Sequence, residues 1–219
     1  MSQNIAIDGP AGAGKSTIAK IVSKKLGFIY VDTGAMYRAM ALFMIRNNID
    51  GNDEQAIGEM SQKADITIRH ENGEQVVFLN GENVNSLIRT EEVSAMASKS
   101  SVVPRLREKL VSLQQKLASE EDVVMDGRDI GTVVLPNADL KIFLTASVKV
   151  RALRRYKEQT QRGEACDLKS IEEEIAKRDY RDMHRETSPL KQAEDSVMVD
   201  SSDMTIDEVA DKIISLFNK

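Results

Sequence analysis

Short apolar runs bounded by polar or turn residues recur along the chain, at 4–7, 28–31, 123–125, 140–144 and 197–199. An unbroken apolar run of this length marks a strand buried on both faces. The segments between most of them carry apolar residues at helical spacing. One such helix begins at Pro104, suited to a first helical position, and places Leu106, Leu110, Leu113 and Leu117 on one face. The last helix opens on Thr205-Ile-Asp-Glu208, a capping box, and is expected to bury Ile206, Val209, Ile213 and Phe217. Alternating strands and helices predict an α/β fold, a five-stranded parallel sheet with helices on both faces.

The alternation breaks between about residues 60 and 90. There Asp65–Arg69 and Gln75–Leu79 flank Asn72-Gly73, and Asn80-Gly81 follows. Asn-Gly favours the turns that join antiparallel strands, so a small antiparallel β subdomain is expected as an insertion in the parallel core.

Composition narrows the class without naming a function. The 219 residues are 41% hydrophobic and 30% charged, which suits one globular domain, and no apolar run approaches the ~20 residues that cross a bilayer. The first residues lack a basic stretch followed by a long apolar one, so no signal peptide is read and a cytosolic location is expected. A single cysteine, Cys166, makes no internal disulfide. The two histidines, His70 and His184, lie far apart and do not suggest zinc. A net charge of −5 argues against a nucleic-acid partner, yet arginines gather at 151, 154, 155, 162, 178, 181 and 185. A small anionic ligand is the expected partner, bound by a monomer without a membrane.

The chemistry concentrates first in Gly9-Pro10-Ala11-Gly12-Ala13-Gly14-Lys15-Ser16, which matches G-x-x-x-x-G-K-[ST] directly after a strand, with Thr17 leading into a helix. Glycines let successive backbone N–H groups turn onto phosphate oxygens, Lys15 reaches the β- and γ-phosphates, and Ser16 can ligate Mg²⁺. A triphosphate site follows. A guanine-specific switch would carry Asn-Lys-x-Asp, which the chain lacks. A hydrolytic motor would place Glu after the strand Val123–Asp126, where Gly127-Arg128-Asp129 stands instead. Asp126 is left as a metal-side carboxylate without a water-activating neighbour. Transfer to a bound acceptor is the better reading.

A second cluster, Asp32-Thr33-Gly34-Ala35-Met36-Tyr37-Arg38, offers a hydroxyl, a ring and a guanidinium at a helix start. With IDGPAGAGKST, PRLREKL, DGRDIGTVVLPNADLKIFLTAS and KRDYRDMHR, it resembles the bacterial cytidylate kinases, in that family's order and over essentially the whole chain. The resemblance implies a phosphate-loop kinase domain over 1–219. It has a core of about 1–58, 97–147 and 187–219, an inserted monophosphate-binding subdomain of about 59–96, and a lid with its flanking helices at about 148–186. It implies transfer of the γ-phosphoryl group of Mg-ATP to CMP or dCMP. Arg38, Arg128 and Arg185 would hold the acceptor phosphate, Ser98, Arg107 and Asp129 the cytosine, and Arg178 and Asp182 the ribose, with Thr33 and Tyr37 beside them. The family often has Gly-Thr after the lysine, so Ser16-Thr17 leaves open which hydroxyl meets the metal.

Arg151, Arg154 and Arg155 share one helix face, as do Arg178, Arg181, Asp182 and Arg185. Either set can neutralise charge on a transferring phosphoryl group, with Arg155 and Arg185 as the catalytic candidates beside Lys15 and Arg128. The competing reading is solvated faces with pairs such as Glu174 with Arg178 and Glu173 with Lys177. The polar stretch Gln159–Asp167 reads as the lid's mobile tip. A kinase for UMP or another small anion such as shikimate is the enzymatic alternative, and an ATP-binding regulatory module the other.

Overall fold

The computed structural model describes residues 2–71 and 73–218. Its elements are β1 (Asn4–Asp8), α1 (Lys15–Leu26), β2 (Ile29–Asp32), α2 (Thr33–Arg46), α3 (Glu54–Ser61), β3 (Ile66–Glu71), β4 (Glu74–Leu79), β5 (Glu82–Asn83), α4 (Glu91–Ser100), α5 (Pro104–Glu120), β6 (Val123–Gly127), β7 (Leu140–Thr145), α6 (Val148–Gln161), α7 (Leu168–His184), β8 (Val197–Asp200) and α8 (Ile206–Phe217). A single π-helical turn, Ile130–Val134, follows β6. Five strands form one parallel sheet in the order β2-β6-β1-β7-β8, and β3-β4-β5 form a separate antiparallel sheet. Each of the five apolar runs is a strand of the parallel sheet, and the antiparallel sheet lies inside the expected insertion.

The described residues fall into two compact units, one of Gln3–Phe28 with 124–218 and one of Ser2 with Ile29–Val123. In the first, Ile5, Ala6 and Ile7 of β1 are fully buried, and β1 pairs in register with β7 from Ile5 against Leu140 to Asp8 against Phe143. α8 packs on α1, and Phe217 meets Phe28 edge to face at 5.6 Å. The Thr205–Glu208 capping box is present. Ile206, expected in the core, is instead 54% exposed, because the first helical position points away from the stripe of Val209, Ala210 and Ile213.

In the second unit, α2 carries Met36, Met40 and Met44 one turn apart, with Ala35 and Ala39 beside them, and buries that stripe against Val93 and Met96 of α4, Ile66 and Leu79 of the antiparallel sheet and Leu106 and Leu110 of α5. Small residues admit close helix approach and flexible methionines fill what remains. Pro104 begins α5 as expected, but its buried stripe runs Leu106, Arg107, Leu110, Gln114, Ala118, with Leu113 and Leu117 only half-buried. Lys109 donates to the carbonyls of Ser61 and Gln62 at 3.0 Å each, completing the end of α3. Asn80 (φ 51°) and Gly81 (φ 82°) form the turn between β4 and β5, with Asn80 Oδ1 accepting from Asp65 N. The turn read at Asn72-Gly73 lies partly outside the described residues, since Asn72 is not among them.

Candidate active site

The phosphate loop leaves β1 at Asp8 and re-enters regular structure at Lys15, with Gly14 (φ 87°) capping α1. Gly9 admits no other residue, because a β-carbon there would lie 2.0 Å from Leu144 O of β7. Lys15 is buried and its Nζ donates to Pro10 O at 2.8 Å. Burial pushes its ammonium down to about 7, with Arg128 adding to the shift and Asp126 and Asp8 opposing it. Phosphate oxygens beside the ammonium act in the opposite direction, favouring the charged form. Ser16 Oγ donates to Asp126 Oδ2 at 3.1 Å, so the loop's hydroxyl and the carboxylate of β6 meet. Thr17 is exposed on α1.

Asp8 is a member of this site that the sequence reading passed over. Its carboxylate accepts from Ile130 N at 2.8 Å and Gly131 N at 2.7 Å, fastening the start of the π-helical turn to the strand that precedes the phosphate loop. Burial raises its pKa to about 6, the two N–H donors working against that and the charge of Asp129 adding to it. The turn follows directly on Arg128 and Asp129, so Asp8 fixes the segment that displays both. π-helical turns of one turn's length recur at functional sites.

Arg128 Nε donates to Asp182 Oδ2 at 2.8 Å, and Arg185 Nη2 stands 3.6 Å from Asp129 Oδ1. Arg185 is further fixed by donating its Nε to Ser188 O at 2.6 Å. The end of β6 and the end of α7 thus form two crossed pairs, a guanidinium and a carboxylate from each side. Asp129 is buried. Arg178 lies on the same helix α7. Arg155, half-buried, pairs with the exposed Glu174 at 3.4 Å. The two arginines before it differ in kind. Arg154 donates to Ser201 O at 2.7 Å, and Arg151 is buried against Asp179, so the expected shared arginine face is not one solvated surface. α6 reaches Gln161 and Asp167 caps α7 by accepting from Ser170 N, which confines the irregular tip to 162–167.

The second unit holds the remaining candidates. Asp32 ends β2 and caps α2, accepting from Ala35 N at 2.9 Å and from Arg38 Nη2 at 2.9 Å, with Arg89 Nη2 at 3.7 Å. Gln75 of β4 takes both backbone groups of Asp32, accepting from its N–H at 2.7 Å and donating to its carbonyl at 3.2 Å. The antiparallel sheet therefore fixes the residue that aims Arg38, whose buried Nε has no hydrogen-bond partner among the described residues. Arg107 is buried, donates to Ser101 O at 3.1 Å, and lies 5.5 Å over the ring of Tyr37. Thr33 is buried at the start of α2, and Ser98 is half-buried on α4, where its carbonyl accepts from Ser101 Oγ.

Glycine loop, sheet order and lysine together define a phosphate-loop kinase. Solved structures of this fold include the shikimate kinase of Acinetobacter baumannii, at a TM-score of 0.50 and 16% identity over 100% of this chain and 94% of that one. A gluconokinase of Sinorhizobium meliloti aligns at a TM-score of 0.51 and 12% identity over 99% and 91%. Sequence comparison is more specific. The family model for cytidylate kinase matches residues 5–219. A cytidylate kinase of Caldicellulosiruptor bescii is 52% identical over 216 residues, 99% of this chain and 96% of that protein. One from Listeria welshimeri is 56% identical over 213 residues, 97% and 94%. The chain belongs to the cytidylate kinase family, and it is an ATP-dependent nucleoside monophosphate kinase. No helix among the described residues is long and apolar enough to cross a membrane.

Proposed function

We propose that the protein transfers the γ-phosphoryl group of ATP to CMP or dCMP, giving ADP and CDP or dCDP. The observation that carries this reading is Asp129, a buried carboxylate beside Arg185 and next to Arg128 at the end of β6. A carboxylate accepts from the cytosine N4 amino group and repels the O4 of uracil. Its relatives of more than half identity are named for the same acceptor.

In this reading the loop Gly9–Ser16 holds the triphosphate, with Lys15 at its β- and γ-phosphates. Arg38, Arg128 and Arg185 hold the acceptor phosphate, Arg38 having a donor still to offer. Ser98, Arg107 and Asp129 take the base, Arg178 and Asp182 the ribose, and Thr33 and Tyr37 support the acceptor side. No general base is needed, because a phosphomonoester has a second pKa of ~6 and is already a nucleophilic dianion at neutral pH. The protein's part is to position two phosphates and balance their charge with fixed cations. Arg155 joins them by leaving its weakly held pair with Glu174.

Mg²⁺ suits the pairing of Ser16 hydroxyl and Asp126 carboxylate, since it is a hard cation that takes a few protein oxygens and fills its sphere with phosphate oxygens and water. When bound it neutralises charge on the phosphates. Coupled detection of ADP with CMP, dCMP, UMP, AMP, GMP and shikimate in turn tests the reading. CMP and dCMP are expected to give the highest kcat/KM. ATP turnover independent of every acceptor would favour the regulatory alternative.

A further inference from the structure

Ala11, in the middle of the phosphate loop, has both of its backbone polar groups taken by one buried ion pair. Arg151 Nη1 of α6 donates to Ala11 O at 2.8 Å, and Ala11 N donates to Asp179 Oδ1 of α7 at 3.3 Å. The pair itself is closed, Arg151 Nη1 lying 2.7 Å from Asp179 Oδ2, with side chains 4% and 9% exposed. Arg151 Nε donates to Ala146 O at 2.8 Å, just beyond β7, so the guanidinium is fixed on a third side. Gly12 packs on the same arginine, where a β-carbon would stand 3.3 Å from Arg151 Cβ.

The middle of the loop, Pro10 to Ala13, has no polar side chain of its own, so bonds made to its backbone decide its shape, Lys15 Nζ to Pro10 O among them. β1 and α1 fix the two ends. The ion pair fixes the middle. It also engages the Ala11 N–H with α7. A buried ion pair is poor value as a stabiliser, since desolving two charges offsets most of their attraction, and an apolar pair of similar size often serves stability as well. What apolar side chains cannot supply is a donor for a carbonyl and an acceptor for an N–H on one particular residue.

We propose that Arg151 and Asp179 are positioning residues for the nucleotide donor: they set the phosphate loop through Ala11 and make its conformation and the placement of α6 and α7 one linked equilibrium. Because coupling between two events is reciprocal, a nucleotide that fixes the loop also orders these two helices, and loosening the helices weakens nucleotide binding. The proposal rests on the loop being the triphosphate site and does not depend on which monophosphate is the acceptor.

The test compares wild type with Asp179→Asn and with the double variant Arg151→Met plus Asp179→Leu, reading denaturant midpoint, kcat and both KM values. Asp179→Asn leaves the Arg151 charge buried without its counter-charge and is expected to lower both midpoint and ATP affinity. The double variant is expected to regain the midpoint while KM for ATP stays raised by about tenfold or more and KM for CMP stays within about twofold. A double variant with wild-type midpoint and wild-type KM for ATP would overturn the proposal, as would equal rises in both KM values.

Should the double variant fail to fold, hydrogen exchange on the wild-type protein decides. Saturating Mg-ADP without CMP is expected to slow exchange in 148–184, and no change there refutes the coupling. Absence of CMP-dependent ADP formation by wild type would count against the proposed reaction alone, since the exchange experiment needs no acceptor.

Discussion

Ser16 Oγ donates to Asp126 Oδ2 at 3.1 Å, joining the last residue of the phosphate loop to the carboxylate near the end of β6. The sequence Ser16-Thr17 leaves two hydroxyls in contention for the metal, and in the proposed reading this contact favours Ser16. Ser16→Ala is expected to lower kcat/KM about tenfold or more, with partial recovery at high Mg²⁺, while Thr17→Val stays within about threefold. A titration of Mg²⁺ at fixed ATP checks both. Equal losses in the two variants would contradict the selection.

Lys15 is buried without belonging to the hydrophobic core, its ammonium donating to the carbonyl of Pro10. Lys15→Ala is expected to abolish phosphoryl transfer and leave circular dichroism unchanged. Removing a buried cation whose charged form is disfavoured should not cost stability, so the thermal midpoint is expected to hold or rise. Inactivity together with an unfolded spectrum would assign Lys15 to the scaffold instead.

Asp8 predicts a pH dependence of stability. Its folded pKa is raised to about 6 from 3.8, so between those values the folded state binds more protons than the unfolded one and stability falls as pH rises. Asp8→Asn removes that titration. The stability of wild type relative to Asp8→Asn is therefore expected to be greatest at and below pH 4, to decline by ~2 kcal/mol between pH 4 and pH 6, and to level off near pH 7. Urea denaturation at pH 4, 5, 6 and 7 measures it. A difference that grows from pH 4 to 6 would contradict the burial of this carboxylate.

The parallel strands were legible because each is a short unbroken apolar run, and the phosphate loop because its spacing is tied to its mechanism. Periodicity was less reliable at element ends. Ile206 sits in the first turn of α8, where the helical stripe has not yet formed, and Gln114 replaces Leu113 in the buried face of α5. The charged residues that fix the site were the least legible. Asp8, Asp32, Arg151 and Asp179 look in sequence like ordinary turn or helix-surface residues. Each acts on a backbone group or guanidinium that only the folded chain brings within reach. Asp8 alone carried a local signal, a carboxylate at the end of an apolar strand directly before the first loop glycine.

Asp129 stands 3.6 Å from Arg185, so two accounts of it differ in outcome. If it reads the cytosine amino group, Asp129→Asn lowers CMP use and spares UMP, because an amide can donate to uracil O4. The ratio of kcat/KM values for CMP over UMP is then expected to fall by about tenfold or more, as follows from a charged hydrogen bond of ~1.5–3 kcal/mol. If it serves only to hold Arg185, both activities fall in parallel and the ratio is unchanged. Steady-state kinetics on both acceptors, with a denaturation curve for the variant, separates the two.

The central claim is transfer to cytidine monophosphates in preference to other acceptors, and internal competition measures it most directly. ATP labelled in its γ-phosphoryl group is supplied with equimolar CMP and UMP in one reaction, and the label is followed into CDP and UDP at low conversion. The product ratio equals the ratio of the two kcat/KM values. Label is expected predominantly in CDP. Label divided equally, favouring UDP, or released as free phosphate would contradict it.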